Sequence, residues 1–243
     1  MRVIILAGGL GTRISEETNE KPKPMVDIGG HPIIWHIIQI YALQGFQEFV
    51  VAGGYKYEAI DNWSKYHYNA KSAWIQNLKI SVIDTGLSSL TGTRILKCIS
   101  KFSDSRFMCT YGDGVANINL HQLLEFHQSS GKIATLTSVR PPARFGHVTI
   151  EDDRVTSFDE KNQADEGWIN GGFFVFEREI VNYISSENET FEKGALPRLA
   201  LSSNLMAFKH HGFWQSMDTL RDKESLTKMS TSSANEKAPW LVL

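Results

Sequence analysis

The run Val3-Ile4-Ile5-Leu6-Ala7 constrains the fold more than any other stretch of the chain. It is short, rich in β-branched residues and has no polar position. A strand of that kind has no face to turn to water, so it suits a sheet covered on both sides. A glycine-rich turn follows, Gly8-Gly9-Leu10-Gly11-Thr12-Arg13, and then Lys21-Pro22-Lys23-Pro24-Met25. Glycine adopts positive φ without steric cost and lets backbone approach a ligand closely. Successive N–H groups in such a turn point the same way and form a concave anion site. Arg13, Lys21 and Lys23 place three cations beside it, which would repel one another without an anion to share. Strand, turn and cations together read as a phosphate grip.

The turn is neither of two familiar phosphate motifs. It lacks the G-x-x-x-x-G-K-[ST] spacing of the P-loop, and Ile14 stands where the third glycine of G-x-G-x-x-G belongs. A strand-to-helix connection without any ligand would use the same glycines, but it would have no need of the cations.

The rest of the first half alternates in the same way. Residues 32–43 carry apolar side chains at helical spacing behind Pro32, and Gly45 ends the pattern. Phe49-Val50-Val51-Ala52 is a second buried strand, 57–66 a second helix, and Ile80-Ser81-Val82-Ile83 a third strand. Residues 93–102 read as helix, Phe107-Met108-Cys109-Thr110-Tyr111 as a fourth strand, 120–128 as helix and 134–139 as strand. Strands alternating with helices predict an α/β fold, a mostly parallel sheet with helices on both faces. Ligands of such sheets sit beyond the carboxyl ends of the strands. Residues 8–13, Asp84-Thr85-Gly86 and Gly112-Asp113-Gly114 each follow a strand, so all three should gather at one rim.

The second half is less regular. Glu151-Asp152-Asp153 between two β-rich runs signals a hairpin. Trp168-Ile169-Asn170 and residues 173–176 are strand-like around Gly171-Gly172. Residues 191–201 read as helix apart from Pro197, 205–208 as strand and 230–235 as a surface loop. No repeat or linker divides the chain. A single domain over 1–243 is expected, with a nucleotide-binding half over about 1–140. Residues 141–243 would form a smaller β-rich part for the second substrate and a C-terminal extension.

Composition excludes several classes. Net charge is 25 − 27 = −2, which implies no general polyanion-binding surface and makes nucleic acid an unexpected partner. No apolar run reaches the roughly 18 residues needed to cross a membrane. The first residues lack the pattern of a signal peptide. Cys98 and Cys109 are too few for a disulfide framework or a zinc site, and fit buried thiols in a reducing cytoplasm.

The glycine turn from Leu6 to Arg13 with Lys21-Pro22-Lys23-Pro24-Met25 resembles the signature of the sugar-phosphate nucleotidyltransferases. Further stretches resemble their glucose-1-phosphate cytidylyltransferase branch: Ser15-Glu16-Glu17-Thr18, Asp84-Thr85-Gly86, Tyr111-Gly112-Asp113-Gly114-Val115, Asn170-Gly171-Gly172-Phe173-Phe174, Trp214-Gln215-Ser216-Met217-Asp218-Thr219 and Ala238-Pro239-Trp240. The resemblance covers nearly the whole chain. It implies a doubly wound, Rossmann-like fold and transfer of a cytidylyl group from CTP to glucose 1-phosphate, giving CDP-glucose for surface polysaccharide such as O-antigen.

The resemblance also assigns residues. Mg²⁺ falls to the positions matching Asp113 and Asp218. Arg13 and Lys23 would stabilise charge on the triphosphate and the leaving pyrophosphate. The nucleotide would lie on Leu6, Ala7, Gly8, Gly9, Leu10, Gly11, Thr12, Arg13, Lys23 and Gly112. Thr85, Gly86, Ser88, Thr91 and Arg94, with Ser89, could line the base pocket. Lys161 would take the sugar phosphate and Glu160 a sugar hydroxyl, with Asn170, Gly171 and Arg144 beside them. Homo-oligomerisation is a family expectation. From the residues alone, Asp113 is also an Asp in a glycine turn, Asp218 a helix N-cap for Thr219 onward, and Glu160-Lys161 a solvated pair.

Choice of base is not visible in the residues. Cytosine offers an amino donor where uracil offers a carbonyl acceptor, so one hydrogen bond could decide. A uridylyl or thymidylyl transferase is the alternative within the class, and a module that senses nucleotide or sugar phosphate without turnover the alternative outside it. The chain also departs from the branch: Ser64 to Leu78 is shorter, in a region framing the nucleotide pocket and subunit contacts.

Overall fold

The structure is a computed structural model that describes residues 1–68, 77–141, 147–159, 167–185, 187–231 and 238–242. Of these, 67–68, 147–150, 157–159 and 231 are described by backbone alone. In chain order the elements are β1 Arg2–Ala7, a short α1 Ser15–Thr18, a small hairpin of β2 Asp27–Ile28 and β3 His31–Pro32, α2 Ile33–Ala42, β4 Glu48–Gly53 and α3 Tyr57–Tyr68. Then come β5 Lys79–Asp84, α4 Thr91–Ile99, β6 Arg106–Tyr111, β7 Gly114–Ala116, α5 Leu120–Ser130 and β8 Ala134–Val139. The remainder is β9 His147–Glu151, β10 Arg154–Asp159, β11 Ile169–Asn170, β12 Phe174–Glu177, α6 Ala195–Leu201, β13 Leu205–Lys209, β14 Trp214–Ser216 and α7 Leu220–Thr231.

β1 lies inside the main sheet, parallel to β4 on one side and β6 on the other. β5 adds in parallel beyond β4. β12 runs antiparallel between β6 and β8, and β13 adds in parallel along the outer edge of β8. Since β13 pairs along residues 134–138 of β8, β11 and β12 share its other edge end to end. The sheet is therefore parallel except for the β11/β12 track.

Period-two alternation in β1 explains the two layers. Val3, Ile5 and Ala7 face one core with Ile37 and Ile38 of α2, Ile60 of α3 and Leu123 of α5. Ile4 and Leu6 face another with Ile95 and Ile99 of α4 and Leu199 of α6. A strand with no polar face is thus covered on both sides. At the C-terminus, Trp240 enters the first core at 1% exposure and its indole N–H donates to Nδ1 of His36 at 3.3 Å.

Several boundaries differ from the sequence reading. The helix expected at 93–102 spans Thr91–Ile99. Only Ala195–Leu201 of 191–201 is helical, and Phe191 packs into the core outside it. Pro197 lies in that helix's first turn, where its missing N–H has no intrahelical partner to lose. Ser230 and Thr231 extend α7 rather than opening a loop, and 232–237 lie outside the described residues. Of the strands expected in a smaller β-rich part, β11, β12 and β13 join the main sheet. The hairpin β9–β10 stands off it.

Candidate active site

The carboxyl ends of β1, β4, β5 and β6 form the expected rim. Gly112 donates its N–H to Leu6 O at 2.9 Å and Thr85 to Gly53 O at 3.0 Å. Arg94, 4% exposed, reaches into this rim from α4. Its guanidinium donates to Gly53 O and to Gly8 O, both at 2.9 Å, and to the Thr85 hydroxyl. The packing leaves no room for a Cβ on Gly8, which would run into that guanidinium. At Gly11, φ is +67°, which opens the turn into Thr12–Ile14. Its carbonyl accepts from the Thr18 hydroxyl at 3.1 Å, fixing the turn on α1.

Two carboxylates far apart in sequence converge beyond this turn. Asp113 joins β6 to β7, and Asp218 follows β14. β7 and β14 pair antiparallel, with Gly114 opposite Ser216, and Met217 N–H donates to Asp113 O at 2.8 Å. Nζ of Lys23 lies 2.6 Å from Asp113 Oδ2 and 2.9 Å from Asp218 Oδ1. Arg13 Nη1 is 3.1 Å from the same Asp218 oxygen, on a side chain 76% exposed. Burial alone would lower the Lys23 pKa, but the two carboxylates outweigh it and the net shift is upward. Asp218 mirrors this: burial would raise its pKa, yet Lys23 and Arg13 hold it below the usual range.

Asp218 is not the cap of α7. Thr219 takes that place: its hydroxyl accepts from Asp222 N–H at 3.2 Å, and Asp222 Oδ2 accepts from Thr219 N–H at 2.8 Å and Asp218 N–H at 3.0 Å. This reciprocal capping box leaves the Asp218 carboxylate free for the site.

Two cavities open here. The first, about 360 Å³, is lined by Leu6, Ala7, Gly8, Gly9, Gly11, Thr12, Arg13, Lys23, Thr91, Arg94, Gly112 and Asp113 of the expected residues. Ser89, also expected, lines it too, with Pro24, Leu90, Tyr111 and Thr190. The second, about 900 Å³, is lined by Asn170, Gly171, Asp218, Trp214 and Glu192 among others. Arg13, Tyr111 and Asp113 belong to both, so the cavities meet at the carboxylate.

Some expected residues stand apart. Leu10 is 53% exposed and Thr85 fully buried, and neither they nor Gly86 and Ser88 line the first cavity. Arg94 lines it, but its donors also hold the rim carbonyls together. Arg144, Glu160 and Lys161 lie outside the described residues. The sequence reading gives Tyr111 no site role, though Tyr111 lies in a stretch that carries the resemblance, and does not single out Glu192. Tyr111 could have been found as the last residue of a strand ending at the rim. Glu192 sits in an irregular segment with no motif to signal it.

The chemistry of the donors suits a hard divalent cation. Two oxygen ligands already converge on one positive group, Lys23 Nζ. Among the described residues no three His, Cys, Asp or Glu side chains gather to hold a metal. Two carboxylates completed by phosphate oxygens are what Mg²⁺ commonly uses.

The Nucleotidyl transferase family matches residues 2–228. The glucose-1-phosphate cytidylyltransferase of Salmonella typhi is 42% identical over 261 aligned positions, covering 99% of this chain and 98% of the relative. A probable glucose-1-phosphate cytidylyltransferase of Bacillus subtilis is 39% identical, covering 94% of this chain and 96% of its own. Among solved structures, HddC from Yersinia pseudotuberculosis complexed with GMP-PN superposes with a TM-score of 0.73 at 25% identity, covering 93% of this chain and 98% of that one.

Proposed function

The chain belongs to the nucleotidyl transferase family, and on that premise we propose that it transfers the cytidylyl group of CTP to glucose 1-phosphate, releasing pyrophosphate and CDP-glucose. The observation that carries the reading is the meeting of the two cavities at Asp113, with Arg13 and Tyr111 common to both. The near full-length likeness to the Salmonella typhi enzyme supports the choice of substrates.

A phosphate monoester is already a nucleophile, so no strong general base is required. The protein's task is alignment and charge neutralisation. The glycine turn presents backbone N–H groups where the triphosphate would lie. Lys23 and Arg13 place two cations at the junction of the cavities, where charge would build on the α-phosphoryl oxygens and the leaving pyrophosphate. Asn170 and Gly171 line the sugar side, and Lys161 would pair with the sugar phosphate. Enzymes of this family generally work with a divalent cation. Here Asp113 and Asp218 would hold Mg²⁺, which when bound neutralises phosphate charge on both substrates.

The test is pyrophosphate release with CTP, UTP, dTTP, ATP or GTP, each with glucose 1-phosphate and Mg²⁺, with and without EDTA. Strongest release with CTP, abolished by EDTA, is the expected result. Release with UTP or dTTP instead would keep the site and overturn the base. No release with any nucleotide would overturn the reaction for this sugar phosphate.

A further inference from the structure

Between the two cavities runs a line of hydrogen bonds that the reaction above leaves unassigned. Glu192, just before α6, turns one carboxylate oxygen toward each side. Oε2 accepts from the Thr91 hydroxyl at 2.7 Å, and Thr91 lines the first cavity. Oε1 accepts from the Tyr111 hydroxyl, also at 2.7 Å. Asn170 Nδ2 then donates to the Tyr111 oxygen at 3.0 Å, while Asn170 Oδ1 accepts from Gly172 N–H at 3.0 Å. On the other side, the Thr91 oxygen accepts from Phe191 N–H at 2.8 Å.

The direction of every bond in this line is set from its two ends, the Glu192 carboxylate and the Gly172 N–H. A carboxylate has no proton to give, so both hydroxyls must donate to it. Tyr111 has one hydrogen, and Glu192 takes it. The Tyr111 oxygen can then only accept, which requires an N–H from Asn170. Gly172 N–H can only donate and takes the Asn170 oxygen, so the amide is held one way round from both sides, its oxygen on Gly172 and its nitrogen on Tyr111. One N–H of that nitrogen is spent on Tyr111. The second is the donor left for a ligand in the second cavity, which Asn170 lines. Turned over, the same amide would offer an acceptor instead.

We propose that Glu192 is a positioning residue. By holding the Tyr111 hydroxyl as a donor it keeps an acceptor on the Asn170 nitrogen, which together with the Gly172 N–H on the Asn170 oxygen holds the amide so that an N–H, not a carbonyl, meets a hydroxyl of the sugar phosphate. The proposal rests on the sugar-phosphate reading of the second cavity.

The experiment is binding of glucose 1-phosphate and its 2-, 3-, 4- and 6-deoxy analogues by calorimetry, to the full chain and to its Glu192→Gln and Tyr111→Phe variants. Steady-state KM is measured for both substrates. Glutamine that turns an N–H toward Tyr111 drives the Tyr111 hydrogen against the Asn170 N–H, donor against donor, because Gly172 N–H still holds the Asn170 oxygen, and Tyr111→Phe removes the middle link. Each variant is expected to weaken glucose 1-phosphate about tenfold, the loss of one hydrogen bond, while the KM for CTP changes less than about threefold. One deoxy analogue should cost the wild-type chain about tenfold and each variant less than about twofold. A purely structural role would weaken all analogues alike. Should Glu192→Gln fail to fold, Tyr111→Phe carries the same test. Wild-type binding with both variants unchanged, or with every analogue penalised equally, overturns the proposal alone. A wild-type chain that binds no glucose 1-phosphate overturns the sugar-phosphate reading, and the proposal with it.

Discussion

Lys23 is the side chain on which the site's electrostatics turn. Its side chain is only 12% exposed and its ammonium touches both Asp113 and Asp218, so each of the three groups compensates the others. Replacing Asp113 with Asn keeps the shape and removes one charge. Turnover should fall by at least about a hundredfold, since aligned charge supplies most of the rate here. The circular dichroism spectrum should stay unchanged, and near-normal activity would sink the metal assignment. Lys161→Ala acts on the other substrate: the KM for glucose 1-phosphate should rise about tenfold, with that for CTP nearly constant. The opposite split would move Lys161 to the nucleotide. Asp113 was legible because glycines flank it at the end of a strand. Glu192 was not, because its meaning comes from partners in α4 and β6.

At the scale of elements, two packed features invite measurement. The capping box of Thr219 and Asp222 starts α7 and also holds the Asp218 backbone. Asp222→Ala should cost about 1 kcal/mol in urea unfolding and lower activity beyond that loss, because Asp218 loses its support. The second feature is the seat of the C-terminal turn Pro239–Leu241 on α2. His36 Nδ1 accepts from the Trp240 indole, so its Nε2–H must donate to Ile28 O, at 2.9 Å. Burial dominates and lowers the His36 pKa from 6.5 to about 4; the hydrogen bond to Ile28 O opposes it, His31 adds a smaller lowering and Asp27 a still smaller rise. The unfolded chain therefore takes the proton first as pH falls. The stability that neutral His36 confers is complete above pH 6.5 and lost between 6.5 and about 4, a drop on the order of 3 kcal/mol. Melting temperature against pH should show this decline, and Trp240→Phe should lower the whole curve. A profile that stays flat in that window would refute it.

For the whole molecule, the question is whether the two halves unfold together. β6 pairs with β1 on one edge and with β12 on the other, so one continuous sheet joins the N-terminal half to the C-terminal half. Cys109 and Phe174, adjacent in that pairing, share a core with Ile4 and Ile95. One cooperative transition is expected, with fluorescence and circular dichroism coincident in urea. CTP and Mg²⁺ at about a hundred times their dissociation constant should add about 2.7 kcal/mol to it. Two separate transitions would divide the chain near residue 140.

The sequence by itself determined the kind of fold and the location of its rim. Short β-branched runs without a polar face suit strands covered on both sides, helical spacing between them favours crossovers, and a crossover sheet gathers its ligands at the strands' carboxyl ends. Only the tertiary structure decided which distant groups meet there. The pairing of β7 with β14 sets Asp218 against Asp113, and Arg94 threads back to the Gly8 carbonyl. Glu192 reaches Thr91 and Tyr111 across the same gap. Local propensity and periodicity act over a few residues, whereas these contacts depend on how separate elements pack, and no spacing in the chain encodes that directly.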